Sequence, residues 1–267
     1  MPEGDVLLRV ARRLTSALDG AALTHAELRW PSLGGADLVG VRSLGTVSVG
    51  KHLLTRFDDG RTLHTHLRMD GTWRVEPTER VARTPALARR TAVRAVLGTP
   101  SWTCLGMDLG MMDLVRTRDE ASVVGHLGPD VVGDDYEAHG RAAIVAGIAA
   151  QGTRPIGEIL IDQRVLAGIG TIYLAESLFR HRIRPWRPAN EVDDVGSLVD
   201  TARALMLASA NSPRVTATGD TRAGRGTLVH GRAGRSCPRC GTAIAVAAVG
   251  TPPYDRPAFY CPDCQRK

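Results

Sequence analysis

The chain has 267 residues, 43% of them hydrophobic, and its 34 lysine and arginine residues against 28 aspartate and glutamate residues give a net charge of +6. No apolar run approaches the roughly 18 residues that a membrane-spanning helix requires, and charged side chains interrupt the first segment, so a membrane partner and a typical secretory signal are excluded. We expect a cytoplasmic protein of one large or two ordinary domains. The basic excess is compatible with phosphate binding but is weak evidence alone.

The N-terminal half is predicted to contain one helix followed by short strands. Apolar residues at helical spacing predict an amphipathic helix over residues 5–18, with Asp5 as its N-cap. The sequence "DDG" at 58–60 lies between two alternating segments and predicts a β-hairpin, because Asp-Gly supplies the positive φ angles of a tight turn. Further strands are predicted at 92–99 and 101–116. This pattern favours a β-sandwich or flattened barrel with the helix against it.

The C-terminal half is predicted to be helical. A linker is expected around "GHLGPDVVGDD", where glycine, proline and acidic residues break the pattern. A basic, glycine-rich loop follows the helices from Ser212 to Arg235, and a small cysteine module ends the chain. Apolar spacing predicts helices at 135–150, 155–166, 171–182 and 191–209.

Two Cys-x2-Cys pairs near the C-terminus predict a zinc site. Four thiolates from two turns can bind zinc tetrahedrally, and the segment is too small to fold on its own apolar core. Arg256, in the connecting hairpin, is placed to clamp a phosphate, although a lone arginine there is more often a solvated charge. The fifth cysteine, Cys104, has no partner and is expected to be a buried apolar thiol. The four predicted ligands are Cys237, Cys240, Cys261 and Cys264.

The segment "QRVLAGIGTIYLAE" predicts a helix, a glycine turn and a second helix. Gly168 and Gly170 do not fit one continuous helix, so the second helix is expected to begin near Thr171. Backbone amides at a helix N-terminus bind anions, and a DNA phosphate is one candidate. The alternative is a tight turn without a ligand.

The first residues predict a nucleophile. Once Met1 is removed, Pro2 is a secondary amine whose ordinary pKa near 8 leaves a neutral fraction at physiological pH. Attack on an aldehydic sugar carbon gives an iminium ion, an electron sink that promotes elimination of the neighbouring 3′ phosphate. Glu3 adjoins this amine and suits a general acid, and Lys51 in "VGKHLL" offers a cation for the phosphate. The alternative is an ordinary proline in a first helical turn.

His64 and His66 alternate on one predicted strand face and suggest a metal site. No third ligand follows at a matching spacing, so we interpret both as structural.

Taken together, these motifs resemble one known family. "MPEG", "GK" opening a strand, "HLRMDG", "LGPD", "DQRVLAGIGTIYLAE" and "CPRC…RPAFYCPDCQ" occur in this order over nearly the whole chain and resemble the formamidopyrimidine-DNA glycosylase and endonuclease VIII family. "MPEG" and the loop "RVTATGDTRAGRG" are similar to the actinobacterial endonuclease VIII branch. The resemblance implies a bifunctional enzyme of bacterial base-excision repair. It removes oxidised bases from damaged DNA, pyrimidines being favoured, and then cleaves the strand by β- or β,δ-elimination.

The resemblance also implies an α+β fold and a role for each motif. The expected domains are a β-sandwich with the N-terminal helix at 1–124, a helix-two-turn-helix domain at 135–222 and a zinc ribbon at 223–267. A nucleoid-associated monomer is expected. The implied catalytic roles are nucleophile for Pro2, acid for Glu3 and cation near the sugar and phosphate for Lys51. The implied DNA-binding roles are phosphate contacts for Arg256, Gly168, Gly170 and Thr171, and insertion into the duplex for Met69 with Arg68 beside it.

Two positions depart from the family pattern and leave other functions open. The family usually has glutamate at Val6 and asparagine at Thr171, so a catalytically weakened DNA- or lesion-binding protein is one alternative. Met69 also has the alternative of a core residue, since methionine fills gaps readily. A zinc-ribbon protein of translation or transcription would explain the cysteines and the charge, but leaves "MPEG" and the glycine turn as accidents.

Overall fold

A computed structural model of the chain describes residues 2–266. The chain forms two compact units. The first unit contains residue 2 and residues 7–126, and the second contains residues 3–6 and the chain from Leu127 onward. The finer boundary predicted at 222/223 stays a prediction.

Helix α1 spans Gly4–Leu18 and begins one residue earlier than predicted. Its apolar stripe, which includes Leu7, Leu14 and Leu18, is fully buried in the first unit. The predicted N-cap role of Asp5 is wrong, because Asp5 lies inside the first turn and its buried carboxylate accepts hydrogen bonds from other side chains.

Two four-stranded antiparallel sheets form the rest of the first unit's framework, which confirms the predicted β-sandwich with a helix. Their strand orders are β1-β6-β7-β5 and β2-β3-β4-β8. The strands are β1 His25–Leu28, β2 Ser43–Val49, β3 His52–Phe57, β4 Arg61–His66, β5 Thr72–Pro77, β6 Val93–Gly98, β7 Trp102–Met107 and β8 Met111–Arg116. Short helices lie at α2 Thr78–Arg83, α3 Ala86–Arg89 and α4 Ala121–Val124.

The predicted hairpin is confirmed as β3–β4, with Thr55 paired to Leu63 across the ladder. The segment predicted as strand at 101–116 is divided by a turn into β7 and β8, which join different sheets. Asp108 has a φ of 47° in that turn, a left-handed conformation that aspartate tolerates better than most residues. Apolar alternation continues on both sides of the turn and conceals it in the sequence.

The second unit contains four main helices: α5 Arg141–Ala149, α6 Ile156–Ile161, α7 Thr171–His181 and α8 Val195–Ala210. A π-helical turn at Tyr136–Gly140 precedes α5. Helix α6 ends five residues before the predicted limit, because residues 162–166 form turns. Helix α8 begins at Val195, where the side chain of Asp194 caps it by accepting from the Ser197 amide. None of the helices in residues 2–266 is long and apolar enough to cross a membrane.

The second unit ends in a two-stranded antiparallel ribbon, β9 Ala245–Val249 and β10 Arg256–Tyr260. One Cys-x2-Cys pair precedes β9 and the other follows β10. The indole of Trp186 donates to the carbonyl of Ala248, and the amide of Gln265 donates to the carbonyl of Ile183. These bonds attach the ribbon to the segment that follows α7.

Candidate active site and metal centre

The carboxylate of Glu3 lies at the N-terminus of α7. The Gly170 amide donates to Oε2 and the Ile172 amide donates to Oε1, both at 2.8 Å, and the Tyr173 amide lies 3.4 Å from Oε2. Glu3 is only 1% exposed. A helix N-terminus attracts anions through its amides and its dipole, and here the bound anion is a side chain of the same chain. The ionised form of Glu3 is therefore stabilised. A DNA phosphate at this turn stays a prediction, and the amides of Gly170 and Ile172 are already engaged.

The turn before α7 requires glycine for two different reasons. Gly168 has a φ of 105°, a conformation that side chains disfavour. At Gly170 a Cβ atom would lie 2.5 Å from Cδ of Glu3, so only glycine allows the carboxylate to reach the amides. Gln163 holds the turn, because its side chain donates to the carbonyls of Ile161 and Ile169 and accepts from the Gly168 amide. The motif "DQRVLAGIG" thus forms the turn that binds the Glu3 carboxylate, which we call the Glu3 cradle.

Asp5 forms a second buried carboxylate near the same helix. Its Oδ2 accepts from the hydroxyl of Tyr173 at 2.7 Å and from the hydroxyl of Ser209 at 2.6 Å. Burial raises the pKa of Tyr173, and the charge of Asp5 raises it further. Ser209 also accepts from the Thr216 amide at 3.1 Å, which ties the beginning of the basic loop to this network. The sequence analysis did not predict this role and interpreted Asp5 only as an N-cap. Its position next to Val6, where the family pattern has an acid, was the available signal.

We expect Asp5→Ala to destabilise the protein by about 3 kcal/mol, because two buried hydroxyl groups would lose their acceptor at about 1–3 kcal/mol each. Asp5→Asn should cost less, since the amide oxygen still accepts one bond. Urea unfolding measures both, with exposed Asp134→Ala of the same unit as the control. An Asp5→Ala protein as stable as the control variant would contradict the interpretation.

Glu176 fixes the end of the basic loop against α7. It is fully buried and accepts from the amides of Leu228, Val229 and His230 at 2.9–3.0 Å. Nε2 of His230 lies 3.3 Å from Oγ1 of Thr171. Burial lowers the pKa of His230 to about 4, so this imidazole is neutral at physiological pH. The sequence reading missed both residues, because only the fold brings them to the turn.

Four predicted residues of the first unit lie outside helices and strands. Pro2 is half-buried and lies two residues before the first residue of α1. Lys51 lies in the turn that joins β2 to β3. Met69 is 59% exposed in the turn between β4 and β5, so its alternative reading as a core residue is wrong. Arg68, which precedes it, has a φ of 51°, which shapes the turn that presents Met69.

The four C-terminal cysteines come together as predicted. Their sulfur atoms all lie within 4.8 Å of one another, with 3.9 Å between Cys237 and Cys264 and 3.4 Å between Cys240 and Cys261. A tetrahedral ion with metal–sulfur distances of about 2.3 Å requires sulfur separations of about 3.8 Å, so the cluster has the right size for a metal ion. Within residues 2–266 it is the only group of three or more potential ligands so arranged. Cys104 is buried, as expected, and burial raises its pKa to about 12.

Arg256 opens β10 and pairs with Val249 across the ribbon. Its guanidinium donates to the carbonyl of Asp255 at 2.7 Å, and the residue is half-buried. The strand holds it five residues before the first cysteine of the second pair.

Comparisons with known proteins agree with this fold over its whole length. The family profile described as the formamidopyrimidine-DNA glycosylase N-terminal domain matches residues 1–105, and the H2TH domain profile of the same family matches residues 127–216. The chain is 42% identical to "Probable endonuclease 8 2" of Streptomyces coelicolor, covering 99% of this chain and 94% of that one. It is 36% identical to "DNA-(apurinic or apyrimidinic site) lyase Nei2" of Mycolicibacterium smegmatis, covering 99% of each.

Solved structures show the same fold. The MutM (Fpg) protein of Thermus thermophilus superposes with a TM-score of 0.76 at 26% identity, over 100% of this chain and 99% of that one. Lactococcus lactis Fpg in complex with DNA containing an oxidised pyrimidine gives a TM-score of 0.79 at 22% identity, over 100% of both chains. The chain therefore belongs to the formamidopyrimidine-DNA glycosylase and endonuclease VIII family, in its actinobacterial endonuclease VIII branch.

Proposed function

We propose that the protein is a bifunctional DNA glycosylase and abasic-site lyase of base-excision repair, acting on oxidised bases, with pyrimidines favoured. The observation that carries the proposal is the position of Glu3. Its carboxylate lies in the glycine turn before α7, and it directly follows Pro2 in the chain. The motif "MPE" thus supplies the carboxylate and the candidate nucleophile beside it. The motif "GIG" supplies the turn that holds the carboxylate. The names of the relatives support the same activity.

The reaction begins with attack of the Pro2 amine on C1′ of the damaged nucleotide. The α7 amides favour the ionised carboxylate, so Glu3 first accepts the proton that the attacking amine releases and then donates it to the sugar ring oxygen as the C1′–O4′ bond breaks. The C1′–N bond to the base then breaks, and the base leaves with the bonding electrons and takes a proton from water. The resulting iminium ion is a permanent electron sink because its nitrogen carries no proton to lose. Loss of a proton from C2′ then expels the 3′ phosphate.

DNA binding in this proposal uses phosphate contacts and one inserted side chain. Lys51, Arg256 and the side chain of Thr171 contact phosphates, and backbone charge supplies most of the affinity. Met69, exposed in its turn with Arg68 beside it, enters the space left by the flipped nucleotide. The protein acts as a cytoplasmic monomer at the nucleoid.

Zinc is the metal that we propose for the cysteine cluster. Four thiolates at these separations fit a closed structural zinc site, in which the ion stabilises the fold and takes no part in the reaction. Arg256 depends on that ribbon for its position.

A second candidate function is a DNA- or lesion-binding protein with weakened catalysis. Two observations favour it: position 6 is valine, and the hydroxyl of Thr171 lies within reach of His230, so it is not fully available to a phosphate. Borohydride trapping on DNA with an abasic site distinguishes the two. A covalent protein–DNA adduct supports the lyase, whereas DNA binding without any adduct supports the second candidate.

We expect Arg256→Ala to weaken binding to all DNA sequences and to lower the slope of log affinity against log salt by about one unit, because one phosphate contact is lost. Arg266→Ala removes a charge from an exposed side chain of the same ribbon and is the matched control. Fluorescence anisotropy at several salt concentrations measures the slope. A loss confined to one lesion, with an unchanged slope, would instead identify Arg256 as a base-reading residue.

A further inference from the structure

Strand register brings a group of titratable side chains onto one face of the β2-β3-β4-β8 sheet. His52 on β3 lies directly opposite His66 on β4, and His64 on β4 lies directly opposite Asp113 on β8. Residues directly opposite share a face, and so do residues two apart on one strand. His52, His64, His66 and Asp113 therefore form one group, although they come from three strands.

Three members of this group form a continuous chain of hydrogen bonds. Nδ1 of His64 lies 2.9 Å from Oδ2 of Asp113, and Nε2 of His64 lies 2.7 Å from Nδ1 of His52. The rings of His52 and His64 are stacked, with centroids 5.0 Å apart. Asp113 is 43% exposed and His64 only 1%, so the chain runs from solvent into the unit's interior.

The chemistry of these groups determines which nitrogens carry protons. An ionised carboxylate only accepts, so Nδ1 of His64 carries a proton and, in the neutral ring, Nε2 is a lone pair. His52 must then donate from Nδ1, which leaves its own Nε2 as an acceptor. His66 is fixed in the opposite sense: the Arg68 amide donates to its Nδ1 at 2.9 Å, so its proton is on Nε2.

The surroundings keep the rings of His52 and His66 uncharged. Burial lowers the pKa of His52 to about 3, and His66, His64, His126 and Lys51 lower it further. Burial also lowers the pKa of His66 to about 4, with added effects of His64, Lys51 and Arg68. His126 completes the group, its ring centroid 6.0 Å from that of His52. Lys51 directly precedes His52 in the chain, and its positive charge acts on both His52 and His66.

We propose that Asp113, His64 and His52 form a tautomer lock that positions Lys51 for the lyase reaction, an inference that rests on the proposed function. The lock makes Nε2 of His52 an acceptor in the neighbourhood of Lys51, whose ammonium group only donates. A proton at that nitrogen would repel the ammonium group and displace it. Asp113, His64 and His52 are thus positioning residues that act through Lys51.

Asp113→Asn tests the lock with almost no change in shape. The side-chain NH₂ of asparagine can donate to Nδ1 of His64, which permits both histidines to reverse their tautomers, as an asparagine does behind a catalytic histidine. We expect borohydride trapping under single-turnover conditions to slow by about tenfold, with unchanged DNA affinity and thermal midpoint. Asp113→Glu, which keeps the carboxylate, should restore most of the rate. Asp119→Asn, at an exposed position in the same unit, is the control and should match wild type.

Nitrogen-15 spectra of histidine-labelled protein supply a readout that a merely structural role would not move. We expect His52 protonated at Nδ1 and His66 at Nε2 in wild type, and His52 protonated at Nε2 in Asp113→Asn. The lock is overturned if wild-type His52 carries its proton at Nε2. It is also overturned if Asp113→Asn traps at the wild-type rate, or slows only in proportion to lost affinity or folding. A wild-type protein that forms no adduct contradicts the proposed function instead, and the spectra then still decide whether the lock exists.

Discussion

A chain extended by one residue before Pro2 is expected to bind abasic DNA normally and to form no borohydride-trapped adduct. Removal of Met1 makes Pro2 a secondary amine, whereas any residue before it converts that nitrogen into a tertiary amide without an available lone pair. DNA affinity should change little, because the phosphate contacts are assigned to other residues. The measurement compares adduct yield and dissociation constant for the processed and extended chains, with mass spectrometry to establish each N-terminus.

The variant Pro2→Gly is expected to give an intermediate adduct yield in the same experiment. Glycine also offers a terminal amine, but a primary one, so we expect a sharply reduced yield that remains above zero. An extended chain that traps as well as the processed one would identify another amine, with Lys51 as the first suspect. Thermal unfolding of each variant shows whether the Glu3 cradle remains intact, because Glu3 directly follows the altered position.

The elements that the sequence predicted well are those determined locally. The apolar stripe of α1 and the Asp-Gly turn of the β3–β4 hairpin depend on neighbours within a few residues, and both are present. The turn between β7 and β8 was missed, because Asp108 adopts a positive φ without a glycine or proline at that position. Helix α6 was predicted too long, since the side chain of Gln163 donates to the carbonyl of Ile161, the last helical residue, and to that of Ile169 in the following turn.

In the candidate site too, features determined by local sequence were predicted and contacts between distant residues were not. Motifs identified the residues that the structure brings together, namely Glu3 with the glycine turn and the four cysteines with one another. Their partners were not predictable from local pattern: Glu3 meets the amide of Gly170, 167 positions away in the chain. The pairing of His64 with Asp113 depends on the register of β4 against β8, which no motif encodes. Hence His64 was noticed in the sequence, while the carboxylate that binds it was not.

Removal of the metal is the second change for which we expect a large effect. The ribbon buries few apolar side chains of its own, chiefly Ile244, Val249 and Ala258, and four sulfur atoms lie within 4.8 Å of one another. Without a cation, four thiolates at these distances repel one another, and so small a module cannot fold by apolar burial alone. Chelation should therefore unfold residues 235–267.

Hydrogen exchange measured by mass spectrometry locates the effect of chelation. We expect β9 and β10 to lose protection while β3 and β4 of the first unit keep theirs, and DNA affinity to fall because Arg256 loses the strand that holds it. Restoring zinc should recover both signals. Cys240→Ser should reproduce the loss without a chelator, whereas Cys104→Ser, in the first unit, should leave the bound zinc stoichiometry at one. A stable ribbon without its ion would need an apolar core, which these strands do not have. The structural role of zinc is therefore refuted if metal analysis finds no zinc in the protein. It is also refuted if chelation leaves the hydrogen-exchange protection of the ribbon and the DNA affinity unchanged.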